Sequence, residues 1–267
     1  MAIITLTSAS GSPGVTTTAL GLALVWPRPV LLVEADPTGG SALLAGYWRG
    51  QLDHVGLLDL VLAERHGVLA DALPRMQFPI EGSDASLLVG TKAHEQAGSL
   101  DRLWDPLLGV LQNLSDQDVI VDAGRLGLDG SPRSLLTYSD VTLLLTLSSL
   151  RALAAARSWA ATLAADVVPG HEVKVVIVGE GRKYRAREVT RTLGLPVAGS
   201  IEWDPRRAEV FADGASYPVP RFGGEQAASR AFEQSGYMRS LRTLAVALRP
   251  AHLEQAAAAI EVEESLA

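Results

Sequence analysis

Short apolar runs that alternate with helix-like segments are the feature that most constrains the fold of this chain. The predicted strands are residues 2–7, 30–34, 85–90, 118–122, 141–146, 173–178 and 197–201. The predicted helices are residues 16–26, 41–47, 56–66, 100–114, 150–165, 185–193, 239–248 and 251–267. Strands without polar alternation are typical of a sheet that is buried on both faces. The pattern therefore predicts an α/β fold: a doubly wound, mostly parallel sheet with helices on both faces.

Composition supports a soluble fold of this size and removes several classes of protein. The chain has 267 residues, of which 48% are hydrophobic and 20% charged, so a sizeable core is expected. It has no cysteine, which excludes disulfide scaffolds, thiolate metal sites and cysteine nucleophiles. Its net charge of −7 argues against a surface that coats nucleic acid. No signal-peptide pattern and no apolar run of roughly 20 residues is seen, so we expect a cytoplasmic protein without a membrane segment.

No linker or internal repeat interrupts the strand–helix pattern. We therefore expect one domain over residues 1–250. Residues 251–267 are rich in alanine and then in glutamate, and here we expect an acidic C-terminal helix or tail.

A glycine-containing loop follows the first predicted strand. Residues 8–14 read Ser-Ala-Ser-Gly-Ser-Pro-Gly and lead into a helix. Gly11 and Gly14 let the backbone wrap around a phosphate, and the free N–H groups of a helix N-terminus favour an anion. A phosphate-binding loop of this kind normally carries a lysine where this chain has Val15. On the loop alone, a phosphate cradle and a plain strand–helix turn are equally good interpretations.

Carboxylates at the ends of two other strands favour the phosphate cradle. Glu34 and Asp36 stand at the end of the strand 30–34, and Asp122 ends the strand 118–122. The carboxyl ends of parallel strands share one edge of the sheet, where ligands bind in doubly wound folds. Carboxylates at this edge suit Mg²⁺ binding and the positioning of an attacking water.

Taken in order along the chain, these segments resemble the ParA/MinD group of deviant-Walker P-loop ATPases. The family's first loop, Lys-Gly-Gly-Val-Gly-Lys-Thr-Thr, resembles residues 10–17, and its Asp-Ala-Asp-Pro-Gln-Gly resembles residues 34–39. Its Walker B strand resembles residues 118–122, and its Ser-Leu-Arg helix start resembles residues 149–151. Its late Gly-Xaa-Ile-Pro-Tyr-Asp segment resembles residues 199–205. The resemblance implies the P-loop NTPase fold.

The family resemblance also implies a function and a set of site residues. Family members dimerise around two ATP molecules, hydrolyse them slowly and position cargo such as plasmids or division proteins. The nucleotide-binding residues would be Gly11, Ser12, Gly14, Val15, Thr16 and Thr17. Thr16 and Asp122 would hold Mg²⁺, and in an active enzyme the catalytic residues would be Asp36, Asp122 and Glu34.

The chain departs from the family at the positions that carry positive charge. Val15 replaces the P-loop lysine, and Ser10 replaces the signature lysine that reaches the partner's nucleotide. Gly179 or Glu180 replaces the asparagine that reads adenine. Phosphoryl transfer needs positive charge where negative charge develops. We therefore expect ATP and Mg²⁺ to bind weakly or not at all, and hydrolysis to be very slow.

Two functions remain open on the sequence. The first is a ParA/MinD-like pseudo-ATPase that acts as an adaptor or regulator, with protein partners, in the positioning or assembly of a cellular machine. The second is an active switch that dimerises on ATP and slowly hydrolyses it, with an arginine supplied from elsewhere. The two missing lysines favour the first. A metabolic synthetase of the same fold is disfavoured, because such reactions also activate ATP phosphates.

A cluster of basic residues follows the strand 173–178. Its members are Arg182, Lys183, Arg185, Arg187 and Arg191. Such a cluster can contact the phosphates of nonspecific DNA. With a net negative chain, a solvated surface is the preferred interpretation.

Overall fold

The computed structural model contains one eight-stranded sheet, and it describes residues 1–10, 12–52, 54–219 and 224–248. The strands are β1 (Ile3–Ser8), β2 (Val30–Glu34), β3 (Phe78–Pro79), β4 (Ala85–Leu88), β5 (Asp118–Arg125), β6 (Val141–Leu147), β7 (Glu172–Val178) and β8 (Val197–Ile201). Their order across the sheet is β3-β4-β2-β5-β1-β6-β7-β8. Every neighbouring pair is parallel except β3 with β4. The predicted mostly parallel sheet is confirmed.

Helices cover both faces of this sheet. They are α1 (Val15–Val25), α2 (Ala42–Ala45), α3 (Leu57–Arg65), α4 (Leu69–Met76), α5 (Ala97–Leu100), α6 (Trp104–Leu111), α7 (Arg133–Tyr138), α8 (Leu150–Asp166), α9 (Ala186–Leu193), α10 (Pro205–Ala212), α11 (Glu225–Glu233) and α12 (Gly236–Ala247). On one face, α1, α10, α11 and α12 pack in a single buried cluster that includes Ile4 and Leu6 of β1. On the other face, α3, α4 and α6 cover the β2–β5–β1 part, and α8 and α9 cover β6 and β7.

The structure contains several elements that the sequence pattern did not predict. These elements are β3, α4, α7, α10 and α11. They are short or bury few side chains, and α11 buries only Ala228 and Phe232. The predicted helix 100–114 is shorter in the structure, where α6 spans Trp104–Leu111 with Pro106 in its first turn, the part of a helix that tolerates proline. The preceding helix α5 ends at Leu100. The domain boundary at residue 250 and the predicted helix or tail 251–267 lie outside the described residues and stay predictions.

A buried carboxylate joins three elements at the amino edge of the sheet. Asp118, the first residue of β5, accepts hydrogen bonds from the Ala2 backbone N–H at 2.8 Å and from the Trp26 indole N–H at 3.0 Å. It also forms an ion pair with Arg28 at 3.5 Å. These contacts fix the start of β1 and the end of α1 against β5. Since β1 and α1 flank the glycine loop, fixing these two elements at the amino edge also limits the movement of the loop at the carboxyl edge.

We expect Asp118→Ala to destabilise the protein strongly, because it leaves buried donors and a cation without their acceptor. The expected loss in free energy of unfolding is about 3 kcal/mol. Urea unfolding followed by circular dichroism measures it. Asp116→Ala, which removes an exposed carboxylate two residues away, is the control and should cost less than about 0.5 kcal/mol. Equal losses in the two variants would contradict this role of Asp118.

Candidate functional site

The loop of residues 8–14 joins β1 to α1 at the carboxyl edge of the sheet. Gly14 caps α1 with φ 87°, and Ser12 also has a positive φ of 44°. The Gly14 conformation is one that side chains disfavour, which explains a glycine there. No side chain caps the first turn of α1, and that turn has no acidic residue. Its N–H groups are therefore available to an anion. Gly11, the other predicted glycine of the loop, lies outside the described residues.

A cavity of about 1070 Å³ opens beside this loop. The predicted site residues that line it are Ser12, Gly14, Val15, Thr16, Thr17 and Asp36. Other lining residues come from the end of β5 and from the loop that contains His94. The structure thus brings the glycine loop and the segment after β2 to one place, as the sequence predicts.

Asp122 is fully buried behind the cavity wall: it does not line the cavity itself, but it interacts with Thr16, Asp36 and Gly124, which do. Its Oδ1 accepts a hydrogen bond from the Gly124 backbone N–H at 3.0 Å, whereas Oδ2 has no partner among the described residues. The pKa of Asp122 is raised to about 7, chiefly because burial disfavours the charged carboxylate. The Asp36 and Glu34 carboxylates contribute to this rise, while the Thr16 hydroxyl and the Gly124 N–H act against it. A buried carboxyl with one oxygen unsatisfied is a position at which a cation would be favourable.

The residues around Asp122 fit magnesium bound together with a phosphate chain. Mg²⁺ is usually held by one or two protein oxygens, waters and substrate phosphates. Thr16 and Asp122 supply two such oxygens at the N-terminus of α1. Within the described residues, no three His, Asp or Glu side chains group closely enough to hold a metal alone. A magnesium ion here would therefore depend on phosphate oxygens as well.

Asp36 is held against the end of β5 by a close backbone approach. Its carboxylate packs on Gly124, where an added Cβ would lie 2.2 Å from the Asp36 Cγ. One oxygen of the same carboxylate accepts hydrogen bonds from the Thr38 N–H at 2.8 Å and from the Thr38 hydroxyl at 2.5 Å. Gly124 also has a positive φ of 60°. The segment after β2 and the end of β5 therefore form one unit beside the cavity.

The Glu34 carboxylate is directed into hydrogen bonds within the fold, although its position at the end of β2 predicts a place in the ligand site. Its carboxylate accepts hydrogen bonds from the Ser41 hydroxyl at 2.6 Å, the Gly90 N–H at 3.0 Å and the Leu43 N–H at 3.1 Å. It is buried and does not line the cavity. These contacts join the start of α2 to the segment that follows β4. A catalytic role for Glu34 stays a prediction, and the contacts seen are structural.

Val15 and Ser10 occupy the two lysine positions without supplying charge. Val15 is 7% exposed and packs in the buried cluster that contains α1 and α12, although one side of it faces the cavity. Ser10 is half-buried in the loop. The loop itself therefore offers backbone N–H groups and hydroxyls.

Arg125 is a functional candidate that the sequence analysis missed. It is the last residue of β5, is exposed and lines the same cavity. The expectation of a site without local positive charge is corrected by this arginine. The signal was present in the sequence, since Arg125 follows Asp122 by three residues at the edge where ligands bind. Along the chain, Arg125 is more than a hundred positions from the glycine loop, and the pairing of β1 with β5 brings the two together.

A second cavity, of about 260 Å³, lies on the other side of the glycine loop. It shares Ser12, Gly14 and Thr17 with the first cavity and is also lined by Trp203 and Tyr237. It is apolar enough and close enough to the loop to hold a planar group attached to a phosphate chain.

The two candidates for the position of the base-reading asparagine are used within the fold. The Gly179 N–H donates to the Ile201 carbonyl at 2.8 Å, and the Glu180 carboxylate accepts from the Ala186 N–H at 2.8 Å. The Arg182 guanidinium instead lies 4.4 Å from the centroid of the Trp203 ring. Neither Gly179 nor Glu180 therefore offers a side-chain amide that could form hydrogen bonds with a nucleotide base.

The residues of the predicted basic cluster are all exposed. They lie on α9 and on the segment before it, and Arg182 contacts Trp203. DNA contact by this cluster stays a prediction. In the described part of the chain, no helix combines the length and the apolar character that crossing a membrane requires.

Comparison with known proteins identifies the fold. No protein-family model and no curated protein matches the sequence. A ParA family ATPase from Chlorobium tepidum TLS matches with a TM-score of 0.69 and 16% identity, over 93% of this chain and 98% of that one. MinD from Pyrococcus horikoshii OT3 in complex with Mg-ADP matches with a TM-score of 0.65 and 18% identity, over 91% and 94%. MinD in a MinC:MinD cell division protein complex from Aquifex aeolicus gives 0.67 and 15%, over 93% and 95%. The chain has the fold of the ParA/MinD P-loop ATPases, as its motifs predict.

We expect Gly124→Ala to destabilise the protein more than Gly67→Ala. Both glycines have a positive φ, 60° and 69°, but an added Cβ at position 67 meets open space. The left-handed conformation costs both variants about 1–2 kcal/mol. The clash with Asp36 adds about 1–3 kcal/mol in Gly124→Ala alone. Urea unfolding of both variants measures the difference, and equal losses would show that the Asp36 contact is unimportant.

The raised pKa of Asp122 predicts a pH-dependent stability in magnesium-free buffer. Since the folded state holds a proton that the unfolded state has lost between pH 3.8 and about pH 7, stability falls as pH rises through this window. The slope reaches at most about 1.4 kcal/mol per pH unit. Asp122→Asn removes this dependence, so it should be more stable than the natural protein at pH 8, by a margin that shrinks towards pH 5.

Urea unfolding with EDTA at several pH values tests this, with Asp116→Asn as the exposed control. If the difference in free energy of unfolding between the natural protein and Asp122→Asn is the same at pH 5 and pH 8, the pKa of Asp122 is not shifted.

Proposed function

We propose that this protein is a ParA/MinD-like adaptor or regulator with a degenerate nucleotide site. It acts with protein partners in the spatial positioning or assembly of a cellular machine, and it hydrolyses ATP very slowly or not at all. The observation that carries this proposal is Val15, a buried aliphatic residue where the fold's lysine would contact the phosphates.

The site retains the groups that bind and lacks the groups that accelerate the reaction. Thr16, Asp122 and the uncapped first turn of α1 suit a phosphate chain with magnesium. Loss of one preorganised contact to a transition state raises a barrier by about 3–4 kcal/mol. The Glu34 carboxylate is also occupied by three donors. This combination favours binding with little turnover.

The chain's own residues then have defined roles in binding. When bound, Mg²⁺ would supply positive charge between Asp122 and the phosphate oxygens. The N–H groups of the first turn of α1 bind phosphate oxygens, and the Thr16 hydroxyl and the Asp122 carboxylate orient the cation. Asp36, packed on Gly124, connects the segment after β2 to this site. A ligand in the cavity would therefore affect a surface segment that a partner can contact.

The similar structures support both halves of the proposal. One is a MinD with Mg-ADP, which supports nucleotide binding, and another is a MinC:MinD complex, which supports a protein partner. Both proteins share the fold of this chain at low sequence identity, so neither of them indicates which protein is its partner.

A second candidate is an active nucleotide switch that dimerises on ATP. The observation that favours it is Arg125, a cation in the cavity that reaches it from β5 and not from the loop. A homodimer, and nonspecific DNA contact through the basic cluster, belong with this candidate.

Calorimetric titration with ATP, ADP and GTP in the presence of Mg²⁺, together with a turnover assay, tests the proposal. The natural protein should bind weakly, and its turnover should equal that of Asp122→Ala. Val15→Lys should bind more tightly, because Val15 lines the cavity and a lysine there can reach the phosphates. Val25→Lys, at the far end of α1, adds the same charge outside the cavity and should leave binding unchanged. Turnover by the natural protein that collapses in Asp122→Ala would favour the active switch instead.

A further inference from the structure

We propose that Arg125 binds the terminal phosphate of a nucleoside triphosphate in the cavity beside the glycine loop, and that it makes the site prefer triphosphates over diphosphates. This inference rests on the proposed function only in taking the cavity as a nucleotide site. It adds which residue supplies the charge and which form of the nucleotide is recognised.

The backbone holds Arg125 at the mouth of the loop. In the parallel pairing of β1 with β5, Arg125 lies opposite Ser8, the last residue of β1 and the first of the loop. The next residue, Leu126, donates its N–H to the Ser8 carbonyl at 2.8 Å. Two central strands of the sheet therefore set the position of this side chain. The backbone of Arg125 is therefore fixed relative to the glycine loop, and its exposed side chain reaches the cavity from there.

The guanidinium is available to an anion. Arg125 is exposed, and no described residue forms an ion pair with it. Of the residues that line the cavity within the described ranges, it is the one lysine or arginine. His94, the other basic residue there, lies 3.5 Å from the Glu95 carboxylate. An arginine keeps its charge at every working pH, and its planar fork matches two phosphate oxygens.

The buried oxygen of Asp122 shows where the charged end of the ligand belongs. Asp122 Oδ2 is unpartnered and fully buried beside Thr16, so it marks the position of a cation on the phosphates. A cation held there would neutralise negative charge on the phosphates of a bound nucleotide. Arg125 stands three residues beyond Asp122 on the same strand. Because Arg125 lines the cavity and Asp122 is buried behind it, the proposed contact of Arg125 is with the outer end of the phosphate chain.

The second cavity sets the direction of the ligand. The two cavities meet at Gly14 and Thr17, with Trp203 and Tyr237 on one side and Arg125 on the other. A nucleoside on the Trp203 side sends its phosphates across the first turn of α1 towards Arg125. The third phosphate of a triphosphate would extend beyond the cation towards Arg125, whereas a diphosphate would end before it. In this arrangement Arg125, on β5, provides part of the positive charge that a lysine at position 15 would provide from the loop.

Calorimetric titration with Mg²⁺ and either the nonhydrolysable analogue AMPPNP or ADP tests this assignment. The proteins are the natural chain, Arg125→Ala, Arg125→Lys and the control Arg157→Ala, which removes the same charge from the exposed surface of α8. Arg125→Ala should weaken AMPPNP binding by about 10-fold to 100-fold, the effect of one charged hydrogen-bonding pair. ADP binding should weaken by less than about 3-fold. Arg125→Lys should fall between, and Arg157→Ala should match the natural chain.

The outcomes separate this inference from the proposed function. A selective loss of AMPPNP binding in Arg125→Ala supports the inference. Equal loss for both nucleotides, no loss, or an equal loss in Arg157→Ala overturns it. Absence of nucleotide binding by the natural chain also overturns it, while an adaptor that works without nucleotide would survive. ATP turnover that depends on Asp122 would overturn the proposed function and leave the role of Arg125 to be judged by the same titration.

Discussion

The buried carboxyl group of Asp122 is the constraint on which the site depends. Asp122 is fully buried in a parallel sheet that helices cover on both faces, and one of its oxygens has no hydrogen-bond partner among the described residues. The pKa of this group rises because the charged form loses its hydration. A cation or a proton must therefore accompany it. The surrounding groups, Thr16 and the uncapped first turn of α1, make a hydrated cation with phosphates the ligand that fits best.

The central strand β5 connects the stability of the fold with the chemistry of the site. At its amino end, Asp118 joins the start of β1 to the end of α1. At its carboxyl end, Asp122 and Gly124 position the loop after β2, and Arg125 enters the cavity. Since β1 and β5 are paired, the glycine loop and Arg125 keep a constant relation. The described residues of the glycine loop carry no lysine or arginine, and the strand beside the loop carries Arg125.

Much of the fold was readable from the sequence, for a physical reason. Central parallel strands are continuous apolar runs, and β2 matches its predicted bounds, residues 30–34. The edge strand β8 also matches its predicted bounds, residues 197–201. Elements with weak periodicity were not readable. The helix α11 buries two residues, and the amphipathic pattern of residues 100–114 extends beyond both ends of α6, which spans Trp104–Leu111. Hydrophobic periodicity reports how an element packs, so elements that pack little leave little signal.

By itself, the sequence determined the class of fold and the presence of Ser10 and Val15 where the similar family has lysines, and it predicted the edge of the sheet at which a ligand would bind. These properties follow from local patterns and from residue types. Only the tertiary structure decided which carboxylates face the cavity. Glu34 and Asp36 are two residues apart, yet Glu34 is bound by Ser41, Leu43 and Gly90 while Asp36 lines the site. It also decided that Arg125 stands beside Ser8, because strand pairing brings together residues that lie more than a hundred positions apart in the chain.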